Sequence, residues 1–319
     1  MVPNLVEPVF LMPYSDAHPV SDYRCVVNGS ATQVIFERTS FRDRRGGPTH
    51  LYVLDLMSGP PAAPWRLNDV SPAFRPDWCW TTGKITFMDP GAVYVQDTVS
   101  ATPISLPKTP NMAYPTWSAA GDFIVTENGE PLAGYPRPRT TKIHPATGAV
   151  IAQVMGSPLV WGGMPTVDLR DSARIAFAGQ WISSQTGYNQ DRNYIWLADD
   201  AWQIDRGVAP VRPLDPQANA KGAFRREFQG RAPWFSPDGK WVAFESARAD
   251  PKGELYAIFI QSARGDGPAR QVTNIKWNAN HAKFYPDGQR LVATLLQKPG
   301  GERRGIVMLD VGEFVSEAQ

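Results

Sequence analysis

Glu37, Glu245 and His281 are the residues of this chain whose types and positions best suit proton transfer. A carboxylate and an imidazole are the side chains that most often act as general acid and base near neutral pH. Arg24 and Arg231 fall beside them in the sequence pattern. A guanidinium grips a carboxylate or phosphate through two parallel hydrogen bonds. Trp161, Trp181 and Trp277 add flat apolar faces that stack on a sugar ring or hold a cation. As a set, these residues suit a polar ligand. The competing reading is that buried acids and arginines pair with one another and tie neighbouring elements together. That reading is favoured for any one residue, and a binding role is favoured for the set. Both require elements that bring distant segments to one place.

The stretch Arg231-Ala-Pro-Trp-Phe-Ser-Pro-Asp-Gly-Lys-Trp-Val-Ala-Phe-Glu-Ser246 shows what those elements are. It reads as a short strand, a Ser-Pro-Asp-Gly turn and a second strand. Pro237 presets φ for the turn, and Asp238-Gly239 tolerates tight or left-handed backbone. Trp241 to Phe244 is an unbroken apolar run, as in a strand buried on both faces. Further strands are expected at Glu254–Ile260 and Ala269–Thr273. The unit recurs at His281–Thr294 with Arg304–Leu309, and in weaker form at Tyr114–Thr126. A period of roughly 40–50 residues points to an array or propeller. The segments Pro233-Trp-Phe-Ser-Pro-Asp-Gly239, Leu255-Tyr256 and Phe284-Tyr-Pro-Asp-Gly288 resemble the TolB-like family, whose repeat is also called WD40-like or PD40. That resemblance implies a six-bladed β-propeller. It says little about function, because two repeats are close to the family pattern and four are weak.

The whole chain, 1–319, then reads as one all-β domain of six four-stranded antiparallel blades. Their approximate spans are 20–68, 70–107, 111–155, 161–215, 230–274 and 280–310. Blade six lacks a fourth strand, and the orphan apolar segment 5–12 is expected to supply it, pairing with Gly305–Leu309. Closure of this kind removes two open sheet edges. A polar loop is expected at Arg42–Gly47, and long middle loops at Glu127–Arg139 and Gly179–Asn193.

In that layout, the loops leading into inner strands and those joining second to third strands crowd one face around the channel. Glu37 and Glu245 leave their second strands at matching places, with Glu127 one step later. Arg24, Arg231 and His281 stand at the mouths of inner strands. The Ser-Pro-Asp-Gly turns fall on the opposite face and read as structural.

Composition narrows the functions. Lys+Arg 32 against Asp+Glu 31 leaves a formal net charge of +1, which argues against a nucleic-acid or anionic-membrane partner. No apolar run is long enough to cross a bilayer. Met1–Pro8 lacks the form of a signal peptide, so a cytoplasmic location is expected, or a periplasmic one if a leader was removed. Cys25 and Cys79 are expected as buried free thiols rather than a disulfide. Oligogalacturonate lyases, which resemble this repeat, use a His-rich site for a divalent metal. This chain has only His18, His50, His144 and His281, a thin ligand set, so neither a metal nor another cofactor is expected. No Gly-x-Ser-x-Gly nucleophile elbow is found. The leading expectation is a scaffold binding a protein segment or small polar ligand at the loop-rich face. The alternative is a lyase-, hydrolase- or isomerase-type enzyme acting on a polar carbohydrate or specialised metabolite in the channel.

Overall fold

The computed structural model describes residues 5–12, 20–42, 45–59, 63–130, 138–154, 160–181, 190–202, 211–218 and 224–316, with the side chains of residues 41–42, 45–46, 181 and 190 outside that description. Within it, six four-stranded antiparallel sheets form a six-bladed propeller. The inner strands are Val20–Val27, Phe74–Trp78, Met112–Trp117, Val160–Val167, Arg231–Phe235 and Asn280–Phe284. In blades one to five the strands run outward in chain order. In blade six the outermost strand is Val9–Phe10, paired antiparallel with Arg304–Asp310.

The closing pair sets Val9 opposite Met308 and Phe10 opposite Val307, and Leu11 N–H donates to the Ile306 carbonyl at 3.0 Å. Val6 N–H also donates to Val272 of blade five at 2.8 Å, so the segment bridges two blades. The Phe10 ring meets Trp277 edge-on, with centroids 6.0 Å apart.

Each blade is buried on both faces because its side chains alternate toward opposite neighbours. In the strand Trp241–Ser246, Val242 and Phe244 pack with Ala176, Ile195 and Leu197 of blade four. Trp241 and Ala243 pack with Phe284 and Leu291 of blade six. The unbroken apolar run therefore feeds two inter-blade cores at once.

The Ser-Pro-Asp-Gly turn is stapled by its own residues. Asp238 Oδ1 accepts from Ser236 Oγ at 2.5 Å and from Lys240 N–H at 3.1 Å. Gly239, at φ +68°, holds the left-handed position that the turn requires. Blade six repeats this with Asp287 and Gly288.

One expected loop is instead a hairpin. The second and third strands of blade one, Gln33–Arg42 and Arg45–Asp55, pair as far as Arg42 opposite Arg45. Ladder hydrogen bonds need no apolar side chains, so a polar ribbon can extend beyond the sheet without the signal that marks a buried strand. Cys25 and Cys79 are free and buried.

Candidate functional site

Every inner strand carries a β-bulge near its start. The register shifts lie between Tyr23 and Cys25, Phe74 and Asp77, Ala113 and Thr116, Gly163 and Thr166, Arg231 and Trp234, and Asn280 and Lys283. In each, one non-glycine residue adopts left-handed backbone: Arg24 (φ 39°), Arg75 (55°), Tyr114 (52°), Met164 (52°), Ala232 (48°) and His281 (48°). Such conformations cost on the order of 1 kcal/mol each, so the surrounding structure must hold them. All six residues line one cavity on the channel. Proline follows the bulged residue in four blades, at Pro76, Pro115, Pro165 and Pro233. A bulge leaves a residue out of the ladder, and proline, with no N–H to donate, is tolerated there.

Carboxylates, two buried and one half-buried, hold half of these bulges from the neighbouring blade. Glu37, opposite Tyr23, accepts the Arg75 N–H of blade two at 2.6 Å and Arg24 Nη1 at 2.9 Å. Glu127, opposite Ala113, accepts the Met164 N–H of blade four at 3.2 Å. Glu245, opposite Arg231, accepts the His281 N–H of blade six at 2.8 Å, and its other oxygen lies 2.5 Å from Arg231 Nε. The three acids occupy one register position in blades one, three and five. Met88, Ala178 and Thr294 occupy it in blades two, four and six. Glu127 is thus in step with the other two rather than one place later. Gly163 makes room for it, since a Cβ there would lie 1.9 Å from Glu127 Oε2.

The cavity is about 490 Å³ where it opens to solvent, but the centre of a water-sized sphere can move through only about 60 Å³. That is room for a few waters. Lys283 of blade six reaches past blade one to the Pro76 carbonyl (3.1 Å) and Asp77 Oδ1 (3.3 Å) of blade two, with Trp234 4.2 Å from its Nζ.

Three cations, Arg24, Arg75 and Lys283, stand in the cavity wall. The Arg75 guanidinium lies 3.3 Å from the Tyr114 ring centroid, with Nη1 3.9 Å from Met88 Sδ. Among the described residues, Arg75 has no carboxylate partner within ion-pair distance. Burial, and then the nearby Arg24 charge, push its pKa down. Arg24 shares Glu37, while its Nε has no partner. The His281 ring meets Tyr23 edge-on at 5.0 Å. Burial, followed by the charges of Arg24, Arg231, Arg75 and Lys283, holds the His281 pKa well below the usual 6.5. The imidazole is therefore neutral at pH 7. Glu127 moves the other way, its carboxyl pKa raised chiefly by burial.

The residues singled out from the sequence separate into groups. Arg24 and His281 form cavity wall; Glu37 and Glu245 stand behind it as clamps. Arg231 pairs with Glu245, lies 3.7 Å from Asp191 and covers Tyr256 at 3.9 Å, outside the cavity lining. Trp161 is buried in the inner strand of blade four, outside the lining. Trp277 packs against Phe10 at the closing strand. The Trp181 side chain and all of His18 lie outside the described residues. Sequence reasoning placed Tyr114 on the channel face without singling it out, and passed over Arg75, Met164 and Lys283. A signal for Arg75, Tyr114 and Met164 was present: an X-Pro pair at the same place in successive inner strands.

No protein-family model matches the chain, and no curated protein does. Solved structures match throughout. A protein of Agrobacterium tumefaciens assigned as a TolB superposes with a TM-score of 0.54 at 15% identity, covering 78% of this chain and 81% of that one. The fold is a six-bladed β-propeller, and that TolB is similar to it in architecture. An oligogalacturonate lyase, solved in complex with manganese, superposes with a TM-score of 0.52 at 12% identity over 98% of both chains. A Pyrococcus horikoshii acylaminoacyl peptidase gives 0.52 at 11% identity over 87% of this chain and 43% of that one. Proteins of different chemistries therefore share this architecture, and identities this low carry the architecture alone.

Proposed function

We propose that this TolB-like propeller is a binding scaffold that takes a small polar ligand, or the end of a protein segment, at the mouth of its channel. The observation behind this is the ring of six left-handed residues. Six strained positions, one per blade, all present side chains to one cavity, and strain of this kind persists at sites where it serves function. Arg24 and His281 are the ligand-facing members of the originally expected set. Glu37 and Glu245 would act through the wall they hold, because both oxygens of each already face an N–H group or an arginine. The enzyme reading draws on one feature, the neutral imidazole of His281 at the cavity, which could accept a proton.

A thermal-shift screen of small polar molecules and short peptides tests this, run on the native chain and on Ala232→Phe, which fills the cavity. Shifts that vanish in the variant support the channel mouth; shifts that survive place binding elsewhere and overturn the reading. For any ligand found, turnover that His281→Asn abolishes would favour the enzyme.

A further inference from the structure

The geometry points to a small organic monocarboxylate as the ligand of this cavity, its carboxylate held by Arg75. This rests on the channel-mouth reading and narrows it to one chemical class.

The argument starts from charge. Arg24 shares Glu37, Arg231 shares Glu245 and Lys283 shares Asp77. Arg75 is the cavity cation without a carboxylate, and it is half-buried. Taking a guanidinium out of water without a partner is costly, and a tightly packed protein has no structural reason to bear that cost where an apolar side chain would fit. The Arg75 side chain is also pre-organised. Its face rests on Tyr114, which leaves the in-plane N–H donors at its edge, the edge that matches a carboxylate.

The anion must carry one charge. Glu37 and Glu127 stand close behind the wall, near enough that both act electrostatically on Arg75. A doubly charged phosphate would meet that negative field with only one uncompensated cation to balance it. The rest of the ligand must be small and apolar. Free space is limited to a few water volumes, and most of the remaining wall is apolar, with Pro115, Pro165, Pro233, Met164 and Trp234 in it. His281 and Tyr114 add neutral polar contacts to a bound carboxylate.

Calorimetric titration decides this. Acetate, butyrate and benzoate are titrated into the native chain, with acetamide, butyramide and benzamide as uncharged matches and inorganic phosphate as the dianion arm. At least one carboxylate binds, its amide binds at least about ten-fold more weakly, and Arg75→Met weakens the carboxylate by at least about ten-fold, the size of a lost charged hydrogen bond. Ala232→Phe, which leaves Arg75 in place, also abolishes binding and stands in should Arg75→Met fail to fold. Amides that bind as well as acids, with both lost in Ala232→Phe, would overturn the carboxylate assignment while sparing the channel-mouth reading. Phosphate binding more tightly than every carboxylate would overturn it too. Carboxylate binding unaffected by both variants would overturn the assignment and the reading together.

Discussion

The two ends of the propeller channel are built by different physics. At the turn end, Asp238 bonds to Ser236 and Lys240, its own neighbours in sequence. At the mouth, Glu37 bonds to Arg75 across 38 residues and Glu245 to His281 across 36. Arg174 of blade four does reach the Gly239 and Ala263 carbonyls of blade five, at 3.0 and 2.9 Å, but each turn is closed by its own residues. At the mouth, the three acids fix neighbouring backbones in pairs, blade one to two, three to four and five to six, so damage there passes between the blades of a pair. It follows that the mouth is shaped by the fold as a whole, and the turn end by local chain chemistry.

Glu245→Ala should have the largest effect. It leaves the Arg231 guanidinium and the His281 N–H buried without their carboxylate, a loss of about 3–5 kcal/mol. Urea unfolding monitored by tryptophan fluorescence will show this as a lower midpoint with an unchanged slope. A change under about 1 kcal/mol would mean the clamp contributes no more than a turn hydrogen bond. Gly163→Ala comes next, at about 1–3 kcal/mol, because its new methyl collides with Glu127 Oε2. Pairing it with Glu127→Ala should recover part of that loss, and a double-mutant cycle reads the coupling. Strict additivity would show that the two sites do not meet.

Asp238→Ala, at the turn end, should cost only about 1 kcal/mol. The ratio of this value to the Glu245 value measures the contrast between the two ends.

The smallest effect concerns pH. His281 has a lowered pKa in the folded chain, so below about pH 6.5 the unfolded chain binds a proton that the folded chain resists. Folding stability must then fall as pH drops below that point. His281→Asn, which keeps a residue tolerant of left-handed backbone, should flatten the stability–pH curve between pH 6.5 and 5 relative to the native chain. Parallel curves would remove His281 as the source.

The same contrast explains what was legible in the sequence. Ser236-Pro-Asp-Gly239 and Tyr285-Pro-Asp-Gly288 encode their turns locally, and from these the blades, their number and the closing strand could be counted. Arg24 and His281 were within reach because they stand at inner-strand mouths. Arg75 was not, because a bulge shifts the alternation of side chains by one and turns toward the channel a residue that plain strand counting does not place there. Trp277 could not be placed from sequence, because a large aromatic in a loop is equally suited to a stacking platform and to closing a seam, and here it packs on Phe10.

The account turns on Arg75 being held for a ligand and Glu37 for the fold. The urea midpoints of Arg75→Met and Glu37→Gln, measured against the native chain in buffer free of carboxylates, test this most directly. The expected result is a midpoint for Arg75→Met equal to or above that of the native chain, with Glu37→Gln well below it. Comparable destabilisation by both substitutions would contradict the account, since Arg75 would then be one more strut of the ring.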